Sequence, residues 1–147
     1  MSNFVDTGML APGAALVAWT LVMTVWVVLT RFPAFKQVGL DLSEAAPGAR
    51  YPDVEPMIPA QVNWKAHNLN HLMEQPTVFY PVIVILALVG GGSAANVYWA
   101  WAYVGLRIAH SLWQSLVNTV PVRFALFTAS SICLAALAID AVRNTLL

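Results

Sequence analysis

Asn63, His67, Asn70, His71 and Glu74 put five polar or ionisable side chains into twelve residues. Their spacing follows the i, i+3, i+4, i+7 rule, so on a helix they share one face. Arg107, His110, Gln114 and Asn118 form a second such stripe further along. Imidazoles, a carboxylate and a guanidinium in this pattern suit three uses. They could ligate a metal, hold a polar anionic ligand, or lock two helices in register. The elements that carry them narrow the choice.

The chain has 147 residues, of which 59% are hydrophobic and only 10% charged. Its mean hydropathy is +0.69. A soluble domain of this size carries about 25% charged residues, so the composition indicates an integral membrane protein. The formal net charge is zero, which leaves no basic footprint for nucleic acid. Cys133 is alone and permits no internal disulfide. The first thirty residues carry Asp6 where a signal peptide has basic residues, and their apolar run exceeds an h-region. They read as a retained span.

Four segments can cross a hydrocarbon layer that needs about 20 helical residues. They cover about 9–30, 64–89, 94–117 and 121–142 of a single membrane domain, 1–147. Gly90 to Ser93 and Asn118 to Pro121 make short turns, which imply antiparallel neighbours. The expected fold is therefore all-α: an antiparallel four-helix transmembrane bundle. Residues 31–63 hold Pro33, Pro47, Pro52, Pro56 and Pro59, together with Asp41, Glu44, Asp53 and Glu55. That proline density rules out a continuous helix and predicts an irregular extramembrane flap, which is either functional, as a cover over a site, or disordered. Arg31, Lys36, Arg50, Lys65 and Arg123 lie on the flap's side and only Arg143 on the other. By the positive-inside rule the flap is cytoplasmic. Tyr98, Trp99, Trp101 and Tyr103 read as an interfacial aromatic belt.

Folding the second and third spans back about the glycines brings the two stripes to matching depths. Glu74 lies 16 residues before Gly90, and Arg107 lies 15 after Gly92. At 1.5 Å per residue, both sit roughly 22–24 Å from the turn. His71 then matches His110, and His67 matches Gln114. Charges inside a membrane face protein or water, so the stripes should face each other, with an ion pair between Glu74 and Arg107. Breaking that pair with Glu74→Ala is expected to cost several kcal/mol. A register lock alone accounts for the pair, but has no use for three histidines, Gln114 and three asparagines. A polar funnel open to the cytoplasm, suited to an anionic ligand, uses them all. His67, His71, Glu74 and His110 could also ligate zinc or iron. Arg107 at the same depth repels a cation, so no metal is expected. A channel is disfavoured because the polar stripes occupy only one half of the bilayer.

The stretch Asn70 to Tyr80 (NHLMEQPTVFY) and the stretch Arg107 to Arg123 (RIAHSLWQSLVNTVPVR) together resemble the MAPEG family. These are the membrane-associated proteins in eicosanoid and glutathione metabolism, and the likeness is to bacterial-type members. It covers Trp64 to Arg143, and the first helix by topology. It implies a homotrimer with glutathione bound as cosubstrate between subunits on the cytoplasmic side. It further implies transfer of the thiol to a lipophilic electrophile, or reduction of a hydroperoxide, with membrane lipids as surroundings. By motif position Glu74, Arg107, His110 and Arg123 belong to the implied glutathione site. Arg107 and Arg123 are the implied catalytic groups, binding carboxylates and favouring the thiolate. His67 and Asn70 stand where many relatives have basic residues, and His71 where asparagine is frequent. Gln114 stands where the eicosanoid enzymes often carry tyrosine, and glutamine cannot act as a phenolic acid. The family also includes a non-catalytic lipid-binding scaffold, so a trimer that binds lipid or a partner protein is the alternative. Location in a bacterial inner membrane is the expectation.

Overall fold

The computed structural model describes residues 5–147, and all of its regular structure is helical. Helix α1 spans Thr7–Gln37, α2 Tyr51–Val54, α3 Ala60–Leu72, α4 Pro76–Leu88, α5 Ala94–Leu116 and α6 Val120–Leu146. Three stretches are long and apolar enough to cross a membrane: Thr7–Gln37, Ala60–Leu88 and Val120–Leu146. The 23-residue α5 falls outside that group. Its buried face carries Asn96, Arg107, His110, Ser111, Gln114 and Ser115, which lower its hydropathy without shortening it.

Helix α1 begins where the Asp6 side chain accepts from Gly8 N–H at 2.9 Å, filling one of the orphan donors of a first turn. It continues seven residues beyond the expected end at Thr30. Arg31 and Lys36 end the uncharged run, whereas helical hydrogen bonding stops only at Gly39. With φ at +70°, Gly39 lets Leu40 N–H reach back to Phe35 O at 3.0 Å. Gly90 (φ +74°) closes α4 in the same way, with Gly91 N–H on Leu86 O at 2.8 Å.

The expected single helix over 64–89 is broken. Pro76 has no N–H for the Leu72 carbonyl, and its ring collides with that carbonyl in a continuous helix. Residues 73–75 form turns instead, and Pro76 starts α4 in its first turn. The break redirects the chain, so that α3 packs on α1 and α5 while α4 packs on α1 and α6.

Between the helices, Met9, Leu16 and Met23 of α1 meet Phe79, Ile83 and Leu86 of α4, Val104 of α5 and Leu137 of α6. Tyr103 belongs to this core and not to an interfacial belt. It is fully buried and stacks on Phe79 at 4.3 Å. Tyr98 and Trp101 are exposed, as lipid- or interface-facing aromatics would be.

The segment between α1 and α3 is folded, in short helical pieces punctuated by its prolines. Phe35, Ala34 and Ile58 form a small core under it, with Leu40, Tyr51, Val54 and Val62 packed around. The Arg31 guanidinium lies 3.7 Å from the Tyr51 ring centroid. Burial pushes the Tyr51 phenol up from its usual pKa, with Arg31 opposing the shift. Ser43 donates to Asp41 from both N–H (2.8 Å) and hydroxyl (2.7 Å), which holds that carboxyl below its ordinary value. Asn63, expected in the polar funnel, serves this segment instead. Its Nδ2 donates to Glu55 O (2.9 Å) and Ile58 O (3.3 Å), and its Oδ1 accepts from the Tyr51 hydroxyl. Asn63→Ala is expected to loosen residues 50–58 by roughly 1–2 kcal/mol. Limited proteolysis should then cut the segment about tenfold faster while the melting of the helices is unchanged.

Candidate functional site

An open cavity of about 390 Å³ lies between α3, α5 and α6 at the end of the bundle near the α5–α6 turn. That volume is within the roughly 300–1,000 Å³ of small-molecule clefts. Helix α3 contributes His67 and His71, and the break after it contributes Glu74. Helix α5 contributes His110 and Gln114. The remaining wall is α6, with Arg123 beside Val120, Phe124 and Phe127. Six of the eight residues singled out from the sequence therefore line one cavity.

The expected rungs are partly formed. His71 and His110 face each other with ring centroids 5.0 Å apart, and His67 and Gln114 share the same wall system. The third rung fails, because Glu74 and Arg107 make no ion pair. Glu74 sits in the break, where its side chain is 66% exposed, and its Oε2 lies 2.7 Å from His71 Nδ1. Arg107 is completely buried behind the cavity wall, and its Nη2 donates to His71 O at 2.9 Å. His71 is in the last turn of α3, where its carbonyl keeps only a long backbone contact, Glu74 N–H at 3.4 Å, so the break that exposes Glu74 also leaves that oxygen open to the Arg107 guanidinium. Glu74→Ala is accordingly expected to shift stability by less than about 1 kcal/mol, in place of the several anticipated from an ion pair. Thermal unfolding in detergent measures it. Asn70 is exposed and is not among the lining residues.

The electrostatics favour an anion. Among the described residues, neither Arg107 nor Arg123 has a carboxylate within ion-pair reach. Arg107 Nε and Nη1, Arg123 Nε and Gln114 Oε1 are buried without a hydrogen-bond partner. Unpartnered buried polar atoms of this kind are rare in native folds and suit a ligand or water. Glu74 leaves a carboxylate open on the opposite wall for a ligand cation. Among the described residues, no group of three His, Cys, Asp or Glu side chains is close enough to hold a metal ion.

Two features were not anticipated. Ser111 Oγ accepts from Asn68 Nδ2 (2.6 Å) and Trp19 Nε1 (3.0 Å), tying α3 and α1 to α5 directly beside His110. Asn68 follows His67 in the sequence but points off the polar stripe, so spacing alone assigned it nothing. Phe124 and Phe127 are the other addition, with the Phe127 ring 5.5 Å from His71. On an apolar helix they are indistinguishable from lipid-facing residues until α3 is packed alongside. No described residue of the segment 38–59 lines the cavity. The expected cover is reduced to one contact, from Glu55 Oε1 to His67 Nε2 at 2.6 Å.

A family model described as the MAPEG family matches residues 9–143. The chain belongs to the MAPEG family. No curated protein and no solved structure matches it. The MAPEG match runs from the first turn of α1 to the last turns of α6, so it takes in every wall of the cavity. With the three apolar stretches, membership makes this an integral membrane protein. It also fits a glutathione-related transferase or peroxidase role.

Proposed function

We propose that this MAPEG protein is a glutathione-dependent transferase or peroxidase acting on lipophilic electrophiles dissolved in the membrane. The reading is carried by one observation. Arg123 faces the cavity with a buried Nε that has no partner, and no carboxylate among the described residues neutralises it. Arginine binds carboxylates through a planar fork of donors, so Arg123 would take a tripeptide carboxylate. The exposed Glu74 carboxylate would receive the ammonium. Gln114 Oε1 could accept from a peptide N–H. His67 and His110 line the remainder of the polar wall, and Asn70 stands outside it. Arg107 would act from behind His71 through its field, which favours the thiolate over the thiol. The thiolate sulfur then bonds to the electrophilic carbon as the leaving group departs. In the peroxidase variant, two thiols reduce a hydroperoxide to alcohol and water and leave as the disulfide. Val120 and Phe124 are exposed beside the cavity and offer an apolar approach from lipid.

Assembly as a homotrimer, with α5 as the fourth span of each protomer, is part of the same proposal. The short turns on either side of α5 support the four-span reading. The distribution of Lys and Arg supports a cytoplasmic flap, in a bacterial inner membrane. The alternative is a non-catalytic MAPEG-like trimer binding a lipid or partner protein. It is favoured by Gln114, which has no phenol, and by the burial of Arg107 away from the cavity surface. Conjugation of glutathione to a reactive aryl halide by the detergent-purified protein discriminates the two. A rate no higher than the uncatalysed one, with no heat of glutathione binding, would reject the enzyme reading.

A further inference from the structure

His67 stands at the cavity edge with its Nε2 2.6 Å from a Glu55 carboxylate oxygen. Glu55 comes from outside the bundle, at the start of the 3-10 turn Glu55–Met57. The other engaged imidazole, His71, is held by Glu74 from within the cavity wall. Arg123 is left open to the cavity. An anionic ligand that reaches Arg123 therefore finds a protein carboxylate already seated on His67.

The segment has anchors other than that carboxylate. Asn63 clamps the backbone of the segment through Glu55 O and Ile58 O and accepts from the Tyr51 hydroxyl, while Arg31 stacks on Tyr51. Phe35 and Ile58 are buried beneath. The His67 and Glu55 side chains are 43% and 32% exposed, so solvent and ligands reach the pair. A partly solvated polar contact of this kind is weak enough to exchange.

We propose that Glu55 determines the charge selectivity of the cavity. Its carboxylate holds His67 in place of a ligand's second anionic group. A ligand with one carboxylate binds at Arg123 without disturbing the pair, whereas a ligand with two must exchange with Glu55 at His67. For glutathione, which has two carboxylates, the latched segment and the fully bound ligand then exclude each other. This rests on the reading of the cavity as a glutathione site.

Glu55→Gln keeps the shape and removes the charge. By calorimetry on the detergent-purified full chain, it is expected to tighten glutathione binding about 5–10-fold. Binding of the glycine monoethyl ester, with one carboxylate fewer, should stay within about twofold. In a His67→Gln background the same substitution should change neither. Without ligand, carbethoxylation of His67 by diethyl pyrocarbonate should run several-fold faster in E55Q, with His71 and His110 as internal controls. Equal glutathione affinities, or a parallel rise for acid and ester, would overturn the selectivity. Equal His67 labelling would overturn the contact itself, and loss of the thermal transition in E55Q would overturn its dispensability. If neither protein bound glutathione, the glutathione reading and the selectivity built on it would fall together. The labelling comparison would still decide whether Glu55 holds His67.

Discussion

Replacing Arg123 with leucine is expected to weaken glutathione binding roughly 100-fold without unfolding the protein. A charge-assisted fork to a ligand carboxylate in a partly buried cleft is worth about 2–3 kcal/mol when one partner is truncated. Arg123 has no carboxylate partner within the described protein, so its loss leaves no protein charge stranded. It sits in the first turn of α6, and its N–H is held by Thr119 O at 3.2 Å through the backbone, which the substitution leaves in place. Calorimetry and thermal unfolding on the same preparation separate the two effects. A fall in affinity of less than about threefold would remove Arg123 from the binding site. Arg123→Lys should recover part of the loss, since lysine returns the charge but not the fork.

Arg107→Met is expected to act differently, lowering affinity roughly 30-fold while leaving the ligand-free protein as stable as before. The guanidinium is fully buried, with one hydrogen bond to His71 O and two nitrogens without partners. Burying an unpaired charge is unfavourable, and an apolar side chain of similar length removes that penalty. Against this stands the lost charge-assisted bond to His71 O, about 1–3 kcal/mol, partly offset because that carbonyl keeps Glu74 N–H at 3.4 Å. The two terms are of similar size and opposite sign. The ligand loses a unit charge at ~6–10 Å, worth about 2 kcal/mol at an effective permittivity near 20. A large drop in the unfolding temperature would mean that Arg107 is a structural keystone. Unchanged glutathione affinity would mean that its charge does not reach the ligand.

The two arginines show why depth along a helix is readable in a sequence and direction around it is not. His71 and His110 were matched by counting residues from the glycine turn, and their rings meet at 5.0 Å. The same count paired Glu74 with Arg107, and there it failed. Counting assumes an unbroken helix, and Pro76 denies the Leu72 carbonyl its donor. The resulting turn swings Glu74 into the open while α3 up to Leu72 stays packed on α5. Pro76 is the local cause of the break, but the long apolar run around it reads as one continuous span, so the break and the displacement of the acid were both missed. Asn63 failed for another reason. Its spacing matched the polar stripe, but the folded flap offered three hydrogen-bonding groups closer than the cavity. The flap's own structure was illegible because its small core is built from Phe35, Ile58 and Tyr51, residues distant in sequence.

Composition, spacing and the placing of breakers determined a great deal alone: a membrane chain, helices bounded by Gly90 and Pro121, and a polar half that gathers His67, His71, His110 and Gln114, whereas Arg123 joined the site through the family resemblance. These follow from transfer energies and backbone sterics, which act locally and are written in residue type. The tertiary structure alone decided which side chain each carboxylate meets: Glu74 turned to His71, Glu55 brought in from the flap to His67, and, among the described residues, Arg107 and Arg123 left without an acid. Charges choose partners by distance and direction in space, and both are set by how the helices break and pack.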